Sequence, residues 1–211
     1  MIASTEKEIA AILLKIKAVV LSPHKPFTFS SGLKSPIYCD NRLLMAYPEL
    51  RIQVRDAFIR SIGNEKILCD CIGGTATAGI PHAAWIADKL RKPMIYIRSA
   101  EKAYGKNKQI EGLLKQGQKV VIIEDLVSTG SSSIKAIEAV RNAGGIVDHC
   151  CAIFTYQMKK SDRLFKEAKI NLHTLSNFSV LVEEGVKGKY ISEKEKQVLI
   201  KWNADPDNWK P

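Results

Sequence analysis

The stretch of this chain richest in possible chemistry is residues 120–133, VVIIEDLVSTGSSS. An apolar run leads into two carboxylates, Glu124 and Asp125. Leu126 and Val127 follow, then Ser128, Thr129, Gly130, Ser131 and Ser132 at what reads as the opening of a helix. Backbone N–H groups and hydroxyls that converge at a helix N-terminus form a cradle for a phosphate. The loop is not a Walker type, because it has neither the G-x-x-x-x-G-K-[ST] spacing nor its lysine. Two carboxylates beside such a cradle would repel a bare phosphate. They make sense facing hydroxyls or a metal-bound part of the same ligand, such as a ribose diol. The competing reading makes Asp125 a helix-capping acid and the serines an ordinary helix start.

Three further stretches could join this one. Residues 72–82, IGGTATAGIPH, follow an apolar run, and small residues there let backbone approach a ligand closely. The same composition also suits an ordinary turn, and no G-x-G-x-x-G dinucleotide pattern is present. Residues 99–111, SAEKAYGKNKQIE, offer little to bury and read as a mobile loop between two strands. With Arg98, its Lys102, Lys106 and Lys108 could close over a polyanion as a lid, or could simply be solvated charges. Residues 27–40, FTFSSGLKSPIYCD, alternate aromatics with turn formers. They suit a hood that stacks a planar base, and equally a packed surface loop.

These stretches need a frame to position them. Short apolar runs rich in β-branched residues at 67–72, 93–97, 120–123, 146–154 and 170–175 alternate with helical stretches at 80–91, 131–142 and 161–168. That alternation predicts an α/β fold with a parallel sheet covered on both faces. Ligands bind at the carboxyl ends of such strands. Ile9, Ile12, Leu13, Ile16, Val19 and Val20 repeat at helical spacing and predict a first helix over 5–20. Pro48 opens a second, with Leu50, Val54, Phe58 and Ile62 inward and Gly63 past its end. Ser192 with Glu195 predicts a capping box on a last helix that ends near Trp202.

The length of 211 residues fits one domain, since about 150 residues per domain is usual. Hydrophobic residues at 45% and charged ones at 26% exclude disordered and collagen-like chains. The net charge of +10 suggests polyanionic partners without choosing among phosphates, nucleic acid and acidic membranes. Five cysteines with no C-x-x-C predict neither a disulfide framework nor a zinc site, but buried thiols in a reducing compartment. No segment approaches the roughly 20 apolar residues of a membrane span. Glu6, Lys7 and Glu8 stand where a secretory signal would begin its apolar region. The expectation is a cytoplasmic protein.

EDLVSTGSS at 124–132 resembles the phosphoribosyl-diphosphate signature of the type I phosphoribosyltransferases. FTFSSGLKSPIYCDNR at 27–42, GGTATAGIPHAAWIA at 73–87, Arg98-x-x-x-Lys102-x-x-Gly105 followed by QIEG at 109–112, and ADPDNW at 204–209 resemble the orotate branch of that family. The resemblance implies one domain over 1–211, a parallel-sheet core flanked by helices, with a small N-terminal hood mainly within 22–45 and a mobile loop at 99–111. It implies phosphoribosyl transfer from 5-phosphoribosyl 1-diphosphate to orotate, with Mg²⁺ bound mainly through the substrate and not directly by protein ligands.

Carried over by position, Glu124 and Asp125 hold the ribose hydroxyls. Ser128, Thr129, Gly130, Ser131 and Ser132 hold the 5′-phosphate, with Leu126 and Val127 alongside. Thr77, Ala78 and Gly79 meet pyrophosphate. Arg98, Lys102 and Tyr104 belong to the loop, whose Lys102 is implied to reach across a homodimer. Orotate falls to Ser128, Ser31, Gly32 and Tyr38. Lys102 and Asp125 are the implied catalytic pair. The chain departs from the family pattern at Tyr104, where His is usual, and at Ser30 and Ala78, where many members have Lys. It is too short to include the decarboxylase domain fused to this activity in some relatives.

The chemistry fits these residue types. A ribose cation needs anchoring through its hydroxyls and 5′-phosphate, and the leaving pyrophosphate gains charge that Mg²⁺ and lid cations neutralise. No side chain need be a nucleophile. Two other readings stay open: transfer to another base, or a non-catalytic regulator that binds nucleic acid through its basic surface. No recognisable DNA- or RNA-binding module is present, so neither nucleic acid nor membrane is expected as a partner.

Overall fold

The computed structural model describes residues 2–28, 32–99 and 109–211. Helix α1 spans Ile2–Lys15 and so stops short of the expected residue 20. Lys17 adopts φ 57°, which turns the chain. The β-branched pair Val19 and Val20 then enters strand β1 (Val19–Leu21) instead of continuing the helix. The hood comprises two small antiparallel ladders. β1 pairs with β4 (Ile37–Cys39), and β2 (Phe27–Thr28) pairs with β3 (Lys34–Ser35). The hood strands run from Val19 to Cys39. A 3-10 helix over Asn41–Ala46 leads into α2 (Pro48–Asn64), which buries Val54, Phe58 and Ile62. Gly63 lies inside α2, not past its end.

The main sheet holds β5 (Cys71–Thr75), β6 (Met94–Ile97), β7 (Ile110–Glu111), β8 (Lys119–Val127), β9 (Ile146–Thr155) and β10 (Asn171–Asn177). Its order is β10-β9-β8-β5-β6-β7, parallel except for β7 against β6. β5 starts four residues later than the apolar run at 67 predicts. Ile67 turns into the core while Leu68 is 73% exposed, and pairing begins only at Cys71 with Val120. Five more helices complete the chain: α3 (Gly79–Leu90), α4 (Ser131–Asn142), α5 (Lys159–Glu167), α6 (Phe178–Lys187) and α7 (Glu193–Ala204). The predicted capping box of Ser192 and Glu195 opens α7.

Two apolar clusters sandwich the sheet. One gathers α1, α2, α3 and α6 around Phe58, Ile123 and Trp202, the other α4 and α5 around Ile122, Ile137 and Phe165. Burying both faces explains the continuous apolar character of β8. All five cysteines are free, with Cys71, Cys150 and Cys151 buried and Cys39 and Cys69 partly so. Among the described residues no helix is long and apolar enough to cross a membrane.

One topological detail sets the site. From β5 the chain crosses through α3 to β6 on one side. From β8 it crosses through α4 to β9 on the other. The crevice outside the carboxyl ends of strands at such a switch point is where ligands bind. Pairing of β5 with β8 ends at Gly74 and Ile123, whereas β8 stays paired with β9 as far as Val127 and Thr155. Residues 124–126 therefore line one wall of the crevice.

Candidate active site

Glu124 sits at the divergence of β5 and β8 and is only 6% exposed. Its Oε1 accepts from the Thr75 hydroxyl at 2.7 Å and from the Asp125 backbone N–H at 3.1 Å. Its Oε2 accepts from the Ser133 hydroxyl at 2.9 Å. Burial, and then the charge of Asp125, pushes its carboxyl up to about 8, against the pull of the two hydroxyls. Asp125 is also raised by burial, offset in part by Glu124, backbone amides and Arg42. Its carbonyl accepts from Asn41 Nδ2 at 2.7 Å, which pins the 3-10 helix below the hood to β8. Asp125 is a strand residue and does not cap α4, whose N-cap is Gly130 with no side-chain cap.

The loop after β8 turns sharply into α4. Gly130 has φ +80°, the left-handed region, and a Cβ there would lie 3.0 Å from Phe165 Cε2 and 3.4 Å from Ser161 Cα. Glycine is thus required by both the turn and the packing of α5. The hydroxyls diverge. Ser132 faces the crevice, Ser131 lies 3.4 Å from the Thr129 hydroxyl, and Ser133 is fully buried against Glu124. Val127 is a core residue at 0% exposure, so its side chain faces no ligand.

The opposite wall comes from the loop after β5, where the Ala76–Thr77 peptide is cis and Thr77 and Ala78 line the crevice. Gly79 does not. A Cβ on it would stand 2.5 Å from Ile123 O and 2.5 Å from Thr75 Oγ1. Its small size lets α3 approach β8, rather than letting backbone approach a ligand. Arg98 closes one end, bonded through its backbone N to Gln109 O at 2.9 Å and 3.6 Å from Glu111 across the β6–β7 pair. Together these walls enclose about 520 Å³.

Glu124, Asp125, Leu126, Ser128, Thr129, Gly130 and Ser132 border that cavity, as do Thr77, Ala78 and Arg98. Val127, Ser131 and Gly79 do not. Lys102, Tyr104 and Ser31 lie outside the described residues, as do Ser30, Lys106 and Lys108. Lys135, an exposed cation on the cavity wall, went unnoticed in the sequence, and Thr75 and Ser133, though inside the stretches at 72–82 and 120–133, were given no role there. Lys135 was findable, since it lies four residues after Ser131 on the same helix face. Thr75 and Ser133 gave no local signal.

A second cavity of about 400 Å³ shares Ser128 and Thr129 with the first. Leu33 and Lys34 of the hood, Met158 before α5, and the chain from Trp202 to Asp207 bound it. Asn203 Nδ2 donates to Tyr156 O at 2.6 Å and ties that last segment to the end of β9. Gly32 and Tyr38 stay on the hood and border neither cavity. Gly32 is open to solvent at φ +85°, and Tyr38 packs on Phe27 with ring centroids 5.4 Å apart.

This geometry has known counterparts. Residues 44–187 match the family model described as a phosphoribosyl transferase domain. The chain is 50% identical over 204 residues to the orotate phosphoribosyltransferase of Coxiella burnetii, covering 97% of this chain and 98% of that relative. Among solved structures it is similar to the orotate phosphoribosyltransferase of Aeropyrum pernix, with a TM-score of 0.75 at 28% identity over 87% of this chain and 99% of that one. It is also similar to the UMP synthase of Leishmania donovani, with a TM-score of 0.80 at 27% identity over 94% of this chain. It spans 42% of the length of that longer chain.

Proposed function

The chain belongs to the orotate phosphoribosyltransferase family, and on that premise we propose that it transfers phosphoribosyl from 5-phosphoribosyl 1-diphosphate to orotate. The products are orotidine 5′-monophosphate and pyrophosphate, a step of pyrimidine biosynthesis. The observation that carries this reading is the shared crevice. A strand-borne carboxylate and a Gly/Ser/Thr cradle face the same 520 Å³, and Ser128 and Thr129 open onto a second cavity large enough for a base.

The 5′-phosphate takes the amides and hydroxyls from Ser128 to Ser132, at the start of α4. The ribose hydroxyls donate to the Asp125 carboxylate, which steadies the sugar as positive charge develops at C1. Orotate enters the second cavity beside Ser128, between the hood and the C-terminal segment. Pyrophosphate leaves past Thr77 and Ala78 toward Arg98 and Lys135.

The donor chemistry fits Mg²⁺. That ion keeps substrate oxygens and waters as its ligands, and Asp125, which takes the ribose hydroxyls, would hold it through the substrate. Held there, Mg²⁺ would supply positive charge against the departing diphosphate. Lys102 adds a cation from the other protomer of a homodimer, in keeping with the loop motif that begins at Arg98. The enzyme works in the cytoplasm, consistent with its five free thiols, and needs neither nucleic acid nor membrane.

Purified protein supplied with the diphosphate, Mg²⁺ and a panel of bases should consume orotate only when all three components are present. Turnover of hypoxanthine or adenine with none of orotate would overturn the assignment.

A further inference from the structure

The charges that border the crevice are unevenly placed. Among the described residues its cations are Arg98 and Lys135 and its carboxyls are Glu124 and Asp125. Thr77 and Ala78, on the pyrophosphate side, are neutral. A diphosphate held there draws its counter-charge from elsewhere in the fold. Arg98 is partly engaged, because its Nη1 lies 3.6 Å from Glu111 Oε1. Lys135 is exposed, and among the described residues no carboxylate pairs with it. Its place on the helix is nevertheless fixed. Ile134, Ala136 and Ile137 around it are buried, so the packing of α4 decides which face Lys135 occupies. It follows Ser132 by three residues and therefore shares that residue's side of the helix. A helical side chain leans toward the N-terminus and covers the turn before its own Cα. The Lys135 stem thus runs back along α4 toward the crevice. The 5′-phosphate meets α4 end-on, where the amides and hydroxyls from Ser128 to Ser132 converge. Lys135 leaves the flank of the helix instead, on a cavity wall that also holds Arg98 and Gln109.

We propose that Lys135 is a substrate-binding residue whose ammonium holds the diphosphate of 5-phosphoribosyl 1-diphosphate, so that α4 grips the 5′-phosphate with its N-terminus and the diphosphate with its flank. This rests on the phosphoribosyl reading of the site. Because the lysine stands on a helix anchored in the core, its charge is in place before the substrate arrives. A ligand that carries the diphosphate feels that charge. One that ends at the 1-hydroxyl does not.

The test compares 5-phosphoribosyl 1-diphosphate with ribose 5-phosphate by titration calorimetry on the full-length protein. Lys135→Met keeps an unbranched stem and removes the charge. It should weaken the diphosphate about tenfold, the scale of one hydrogen bond to a charged group. Ribose 5-phosphate, which fills only the cradle and the sugar site, should keep its parental affinity. Lys135→Arg restores the charge and should recover most of the loss. The difference between the parental protein and Lys135→Met should shrink as salt rises, because an exposed cation is screened. The side chain is exposed, so the Tm of Lys135→Met should match that of the parental protein.

Parental affinity for the diphosphate in Lys135→Met overturns the proposal. So does equal weakening of both ligands, which would place the ammonium at the 5′-phosphate or report general damage to α4. Failure of the unaltered protein to bind 5-phosphoribosyl 1-diphosphate would instead refute the phosphoribosyl reading itself.

Discussion

Gly79→Ala adds one methyl group at the point where α3 meets the central strand. Its Cβ would lie 2.5 Å from Ile123 O and 2.5 Å from Thr75 Oγ1, where ordinary contact begins at 3.4 Å. The shortfall is about 0.9 Å on both sides (3.4 minus 2.5). Neither neighbour can retreat. Ile123 is strand backbone paired on both flanks, and the Thr75 hydroxyl is engaged by Glu124. The start of α3 must therefore shift by about the missing distance. Overpacking of this kind costs about 1–3 kcal/mol. In a domain of this size each kcal/mol lowers Tm by about 2–4 °C. Thr77 and Ala78 immediately precede the displaced helix, and a misplacement of about 1 Å can cost on the order of 100-fold in rate. Thermal melting and steady-state kinetics on the same preparation check both figures. A variant with parental Tm and parental kcat/KM would show that α3 does not need this close approach.

Asp125→Asn removes charge while nearly keeping shape. It should lower kcat/KM by about 10–150-fold, equivalent to about 1.5–3 kcal/mol of lost charge-assisted bonding, without loss of Tm. His82 is buried with no partner for either ring nitrogen, and burial lowers it to about 4 from 6.5. The unfolded chain therefore takes up the proton first as pH falls, and about 3 kcal/mol of stability present above pH 6.5 should be lost by pH 4. Urea titrations across that range should show the loss, and His82→Leu should flatten it. Glu124 has the opposite sign. Its raised carboxyl stays protonated in the folded protein, so stability should fall by a few kcal/mol as pH rises from about 4.5 to 8, and Glu124→Gln should remove that slope. If Lys102 acts across a homodimer, mixing the impaired Asp125→Asn with the impaired Lys102→Ala should raise activity above that of either variant alone, through hybrid dimers. Hybrids seen by mass spectrometry without activity would place Lys102 in its own subunit's site.

The parts of the fold written locally were legible. Residues 131–142 form α4 as expected, because Gly130 and the serines mark its start. The capping box of α7 is spelled by Ser192 and Glu195. Local spacing misled at α1, where Val19 and Val20 fit helical periodicity but pair with β4 instead. It also missed α6, although Phe178, Leu181 and Val182 are spaced for a helix and Asn177 caps it by accepting from Val180 N–H at 3.0 Å. The site divides in the same way. Asp125 and the cradle are contiguous in the chain and could be read from it. The hydroxyls that hold Glu124 come from 49 residues upstream and 9 downstream, so only the folded sheet reveals them.

Placing Asp125 on β8, and not on a loop, divides a short run of backbone into two dynamic regimes. The strand that carries Asp125 stays in register with β9 as far as Val127, so the amides that bond into that ladder should exchange with solvent only through global opening. From Ser128 to Gly130 the chain has left the ladder, and no strand protects its amides. These amides are free to exchange by local fluctuation and to adjust to whatever anion they receive. The contact to the sugar is thus as durable as the fold itself, while the phosphate grip, three residues on, can loosen and re-form without unfolding anything.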